Sequence, residues 1–313
     1  MTNALPLHTP AAGVLRFTIP LPITSPDHLN VHLIDVDGRW VLVDPGPVDR
    51  NGLVAATLAE AGIEPAEVLI THGHVDHWGG ATDFATTVLA HAACRQSFEL
   101  AMDFTAGGSS TVAVSRFGPR QHAGGGAERA FRGFRKLIGG VPSVRDLVDG
   151  ERLGAWEVLS TPGHEPSHLC LWRASDGVLL CGDLLLPDFT PNVQPAFDGS
   201  DALEAFLASL ARAGDLRPTL VLPSHGEPYA DGHARAGVLR KHHEVRLDRL
   251  RDALRDGAVP LAELSGTIFG VRATTAADRM LAEMETWAHL DYLRRRGEVE
   301  AGEDEVWKAV VSV

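Results

Sequence analysis

The chain has 313 residues, 44% hydrophobic and 22% charged, with a formal net charge of −13 at pH 7. That length accommodates a core and a second module, while the acidic balance disfavours a polyanionic partner such as RNA for the chain as a whole. No apolar run approaches a bilayer span, and no basic stretch followed by a hydrophobic one opens the chain. The expectation is a protein with no membrane partner and no signal peptide, placed in the cytoplasm.

In chain order, residues 15–19, 31–34 and 40–43 read as an opening meander of short β-rich runs. Residues 53–61 have a helical pattern, and Val68-Leu69-Ile70 is a strand leading into Thr71-His72-Gly73-His74-Val75-Asp76-His77. Residues 92–148 have little strand character. Gly107-Gly108 and Gly124-Gly125-Gly126 punctuate them, and Phe131, Phe134, Leu137 and Ile138 recur at helical spacing, which predicts an inserted helical flap. Its apolar face packs on the core or lines a substrate pocket. Strands are expected again at 156–160, 169–172 and 178–181, then a helix over 201–212 and a strand over 219–222.

The tail reads as a separate unit, dividing the chain into domains at 1–230 and 231–313. Helical patterns cover 238–256, 261–269 and 275–296, with Met280, Met284, Trp287 and Leu290 as the buried stripe of the third. Residues 298–300 and 306–310 suit a hairpin around Gly302. Three helices and a hairpin suggest a winged helix. Arg294-Arg295-Arg296 has the residues to touch phosphates, although a basic helix C-terminus complementing the helix dipole explains it better.

The densest chemistry lies between residues 72 and 77, where three imidazoles and a carboxylate follow an apolar strand. Surface histidines on a loop explain one or two such residues far better than four, whereas clustered His and Asp are the usual material of metal centres. In an extended segment His72, His74 and Asp76 point to one side, and His77 turns in from the following loop. His164, Asp183 and His225 each close a further strand-like run, which lets them converge on one sheet edge. Cys94, Cys170 and Cys181 have no paired spacing and suit buried reduced thiols. His164-Glu165-Pro166-Ser167-His168 matches the zinc-protease pattern, which needs both histidines on one helix face. Pro166 opposes a helix there, so His168 is expected to support the site rather than ligate.

With these motifs, over roughly residues 13 to 230, the chain resembles the metallo-β-lactamase superfamily. The resemblance rests on His72-x-His74-x-Asp76-His77, Thr161-Pro162-Gly163-His164, Gly182-Asp183, Pro223-Ser224-His225-Gly226 and Asp44 closing an early strand. It implies an α/β fold, the αββα sandwich, followed by the winged-helix-like C-terminal domain that some members carry. It further implies two divalent metal ions per chain. His72, His74 and His164 would bind one, Asp76, His77 and His225 the other, and Asp183 would bridge them, with Asp44 behind the ligands. The branch it most resembles is the glyoxalase II type, because β-lactamases commonly place a cysteine at the bridging position.

Such a set implies hydrolysis by a bridging hydroxide held between cations about 3.5 to 4 Å apart, with Asp76 orienting it as the catalytic residue. Zinc is the first expectation for the metal, with iron and manganese as alternatives. A thioester or ester of a small acyl conjugate is the leading substrate. A lactone, or single-stranded RNA cut by an endonuclease, follows, and a DNA-binding regulator without enzymatic activity comes last. Whether His289 of the tail reaches the site, and what oligomer the chain forms, are not specified by the sequence.

Overall fold

The structure, a computed structural model, describes residues 4–23, 26–49, 51–106, 135–196, 198–270, 273 and 275–310. Seven strands make the first sheet, each beside its neighbour in sequence: β1 (His8–Ala11), β2 (Val14–Pro20), β3 (His28–Val36), β4 (Arg39–Val43), β5 (Glu67–Leu69), β6 (Thr87–His91) and β7 (Ser143–Leu147). Pairing is antiparallel up to β4 and parallel from β4 to β7. Between these strands lie α1 (Leu53–Glu60), the single-turn α2 (Val75–Trp78) and α3 (Cys94–Ala106). The second sheet runs β8 (Arg152–Leu153), β9 (Trp156–Ser160), β10 (Leu169–Arg173), β11 (Val178–Gly182) and β12 (Leu220–Pro223), with α4 (Ala202–Asp215) crossing over to the parallel β12.

Side-chain alternation along the strands generates the layers. Val158, Leu169, Leu171, Val178 and Leu180 point inwards, against Val14, Ile34, Val41, Val43 and Leu69 of the first sheet. The intervening Leu159, Cys170, Trp172, Leu179 and Cys181 point the other way, onto Phe206 and Leu210 of α4. On the outer face of the first sheet, Leu29, Val31, Leu33 and Leu42 pack against Val54 and Leu58 of α1 and Phe98 of α3. The result is the expected αββα sandwich. Strand ends therefore share one rim, and the loops that leave that rim carry the polar residues.

The stretch from 92 to 148 departs in part from the expected helical flap. It opens with α3 but closes with β7, an edge strand parallel to β6. The sequence Ser143-Val144-Arg145-Asp146-Leu147 hides this strand because four of its five residues are exposed or half-buried, so the sheet pairing rather than an apolar pattern defines it. Ile138 is buried, following a 3-10 turn at Arg135–Leu137, while Phe131 and Phe134 lie outside the described residues.

The tail forms α5 (Gly232–Ala253), β13 (Val259–Pro260), α6 (Leu261–Phe269), α7 (Ala276–Arg295), β14 (Val299–Ala301) and β15 (Val306–Ala309). The three strands pair in the order β13-β15-β14. Asp231 caps α5, and a reciprocal capping box between Thr275 and Asp278 starts α7. Leu239, Leu250, Leu264, Leu290 and Trp307 belong to the same buried cluster as Leu159 and Phe206. The C-terminal helices thus share the outer core of the second sheet.

Candidate metal centre

The expected cluster gathers at the strand-end rim. Thr71 to His74 form the loop after β5, and the chain leaves extended geometry at His74, which serves as the N-cap of α2. Asp76 and His77 therefore sit on a helical turn rather than on a continued strand. The correction has a simple cause: a single turn swings two adjacent side chains into the same cleft, with Trp78 anchoring it by an Nε1 hydrogen bond to the Gly73 carbonyl at 2.9 Å. His164 follows β9, Asp183 follows β11 and His225 follows β12. Gly163 adopts a φ of +130°, and a Cβ there would lie 2.3 Å from the Phe206 backbone. Only glycine lets this turn press against α4 and deliver His164.

The seven residues divide into two groups. His74 Nδ1 lies 3.0 Å from both His72 Nε2 and His164 Nε2, and Asp183 Oδ2 is 3.6 Å from His164 Nε2. In the second group, Asp76 Oδ2 is 3.7 Å from His77 Nε2 and 3.5 Å from His225 Nε2. Asp183 spans both, with Oδ2 at 3.7 Å from His77 Nε2 and Oδ1 at 3.5 Å from His225 Nε2. A tetrahedral ion with bonds of about 2.0–2.1 Å sets its ligands about 3.3–3.4 Å apart. Both groups match that spacing, and either can hold a metal ion.

The inward atoms lack other partners. His77 Nε2, His225 Nε2 and Asp183 Oδ1 are buried with no hydrogen bond, an arrangement that is costly unless something else satisfies them. Their outer atoms are by contrast fully engaged. His77 Nδ1 donates to Asp44 Oδ2 at 2.8 Å, His72 Nδ1 to the Thr71 hydroxyl at 3.1 Å, His164 Nδ1 to the Asn192 carbonyl at 2.7 Å and His225 Nδ1 to the His28 carbonyl at 2.6 Å. These partners engage the outer nitrogen and turn the other inward, as metal-ligating histidines require. Thr71, His28, Asn30 and Asn192 were invisible as site residues in the sequence. Their roles arise from long-range contacts, such as Asn30 Nδ2 donating to the carbonyls of Pro223 and Gly226 beside His225.

Charge is balanced across the cluster. Burial, reinforced by neighbouring imidazoles, holds His72 well below the ordinary histidine range and His74 at about 3, which keeps both as neutral donors. Burial also lowers His77 and His225, but the carboxylates, Asp183 foremost, outweigh it and raise both. Asp183 shows the converse: burial favours its acid form, yet His225 and His77 hold it well below the usual carboxylate range. The carboxylates thus attract positive charge to the positions the two groups enclose.

The competing zinc-protease pattern fails on geometry. No helix covers residues 164–168. His168 Nδ1 meets the Thr161 hydroxyl at 2.8 Å, and its Nε2 accepts the Asp183 backbone N–H at 3.0 Å. It supports the bridging position without facing the cleft. Cys181 points away from the rim, its Sγ 3.6 Å from the Leu185 carbonyl. His289 does not join the seven residues; it stacks on His243, with His243 Nδ1 3.0 Å from His289 Nε2. Those two imidazoles and Glu285 make a third group of ligand types. The cation against Glu285 is already the Arg246 guanidinium.

Fold and site together define a metallo-hydrolase, and the chain belongs to the metallo-β-lactamase superfamily, whose family model matches residues 24–225. Among solved structures, a β-lactamase domain protein from Burkholderia ambifaria is similar, with a TM-score of 0.80 and 28% identity over 97% of this chain and 93% of its own. A metallo-β-lactamase family protein from Thermus thermophilus has a TM-score of 0.73 and 28% identity, covering 96% of this chain and 99% of its own. In sequence, the probable metallo-hydrolase YqjP of Bacillus subtilis is 28% identical over 90% of this chain and 92% of its own length. A hydroxyacylglutathione hydrolase of Chromohalobacter salexigens is 27% identical over 66% of this chain and 65% of its length.

Proposed function

We propose that this protein is a dinuclear, zinc-dependent hydrolase acting on a thioester or ester of a small acyl conjugate. The observation that carries the reading is Asp183, a buried carboxylate whose Oδ2 lies beside His164 of one ligand group and His77 of the other, with Oδ1 beside His225. The likeness to a hydroxyacylglutathione hydrolase, a thioesterase by its name, supports the same substrate class. Phe189 adds an apolar wall at the cleft. Its ring, 38% exposed, lies 6.5 Å from the His225 ring, where an acyl chain can pack.

Bound divalent ions supply Lewis acidity and an activated water at neutral pH. His72, His74, His164 and Asp183 would hold one ion and Asp76, His77, His225 and Asp183 the other. Asp76, with its side chain 17% exposed at the mouth, would orient the attacking water. Asp44 accepts from Thr71 and His77 and holds the two sides of the cleft in register.

The order of elements in the tail, helix, strand, two helices and a hairpin, is compatible with the expected winged helix, which keeps an RNA endonuclease as the second reading. Two observations weigh against it. Much of α7, the helix that would enter a groove, is buried against the protein. Arg294 and Arg295 pair with Asp291, and Arg296 with Asp201 and Glu204. Among the described residues no helix is long and apolar enough to cross a membrane. Incubating the zinc-loaded full chain with acyl-thioester, lactone and labelled-RNA panels tests the reading. Thioester or ester turnover is expected; RNA cleavage without it would overturn the proposal.

A further inference from the structure

After Asp183 the chain enters a loop, residues 184–196, that the C-terminal helices hold from outside. Arg235 of α5 donates from Nε to the Leu186 carbonyl at 2.7 Å and from Nη2 to the Phe189 carbonyl at 2.9 Å. Farther along, Asn192 Nδ2 donates to Glu285 Oε2 on α7 at 2.8 Å. The same Asn192 presents its backbone carbonyl to His164 Nδ1 at 2.7 Å. Glu285 is only 3% exposed and is ion-paired with Arg246, whose guanidinium stands 4.5 Å over the Phe269 ring of α6. A continuous path therefore runs from the tail to a predicted metal ligand: Arg246, Glu285, Asn192, His164.

We infer that Glu285 is a positioning residue for the metal centre, fixing through Asn192 the carbonyl that orients His164. His164 can offer Nε2 to an ion only while its proton sits on Nδ1, and the Asn192 carbonyl selects that tautomer and the ring's rotation. A loop carbonyl is an imprecise acceptor unless its own residue is tethered. The Glu285 carboxylate tethers Asn192 through a charge-assisted bond in a buried setting, where such bonds hold geometry most firmly. Arg246 in turn lowers the Glu285 carboxyl against burial, which on balance still raises it to about 7. The C-terminal unit thereby helps to position the ligand set without contributing a ligand to it.

The inference rests on the metal-centre reading above, and the test separates the two. Zinc affinity of each site is measured on the full chain by chelator competition, with cobalt absorption reporting the ligand geometry and thermal unfolding reporting the fold. Asn192→Ala and Glu285→Ala are each expected to weaken the ion held by His72, His74 and His164 about tenfold or more, leaving the Asp76, His77 and His225 ion within about twofold. Glu285→Gln keeps an acceptor for Asn192 and should recover part of the loss. The double variant should bind no more weakly than the poorer single variant, because both act through one bond. Should Glu285→Ala not fold, owing to the lost Arg246 ion pair, Asn192→Ala reads the same bond from the other side. Folded Asn192→Ala with wild-type affinity at both sites would overturn the relay alone. Equal weakening of both ions would also overturn it, as a general effect on the fold. A wild-type protein that takes up no metal would overturn the underlying site as well.

Discussion

Asp76 and His168 are neighbours of the same cleft with opposite dispositions. Asp76 has its carboxylate at the mouth, near His77 and His225, whereas His168 is fully buried and engages both ring nitrogens with Thr161 and Asp183. Asp76→Ala should lower turnover by orders of magnitude with unfolding midpoint nearly unchanged, since it removes a ligand and the water-orienting group together. His168→Ala should chiefly lower stability, by about 1–3 kcal/mol for unsatisfied buried partners, with a smaller loss of rate. Steady-state kinetics beside urea unfolding distinguishes the two; equal collapse of rate in both would contradict the assignment. The cysteines make a second residue-scale case. Burial pushes the Cys170 thiol up to about 12 and raises Cys94 and Cys181 above the ordinary value of 9.0. At pH 8 all three should resist a thiol reagent until denaturant is added. Below pH 9 the thiols are protonated folded or unfolded, and above it the unfolded chain sheds protons the fold retains, so stability falls as pH rises toward 12. Rapid labelling of the native protein would contradict this.

Among elements, strands written as near-continuous apolar runs were readable. The expected strands at 156–160, 169–172 and 178–181 became β9, β10 and β11 because each buries both faces between two layers. α2 was not, since a single turn has no periodicity to read, and the expected extended path through Asp76 gave way to it. β7 and β13 are too polar or too short to show, and their pairing partners lie far along the chain. The same limit applied to the site. The seven candidate residues were legible because each is a chemically distinctive side chain at a strand end, while Asn192, His28 and Glu285 act through contacts 28 to 197 positions away. The turn at Gly163 offers an element-scale test. Gly163→Ala drives a Cβ into the α4 backbone at a φ unfavourable to alanine, and should cost at least about 1–3 kcal/mol in urea unfolding. An unchanged midpoint would show that this turn does not press on α4.

For the whole molecule, the shared core changes what truncation means. Removing residues 231–313 strips Leu239, Leu250, Leu290 and Trp307 from the cluster that includes Phe206 and Leu210. The remainder should lose cooperative unfolding, as judged by near-ultraviolet circular dichroism, and a well-folded truncation would contradict the shared core. The net charge of −13 bears on substrate class at the same scale. Thioester turnover should vary little between about 50 and 200 mM salt, whereas contacts to several phosphates would weaken by orders of magnitude. The proposed chemistry depends on both ligand groups sharing Asp183. Elemental analysis of the zinc-reconstituted full chain, after exhaustive desalting, addresses that directly: two ions per chain are predicted from the two ligand groups, falling to one in His225→Ala. One ion per chain in both proteins would contradict the dinuclear centre.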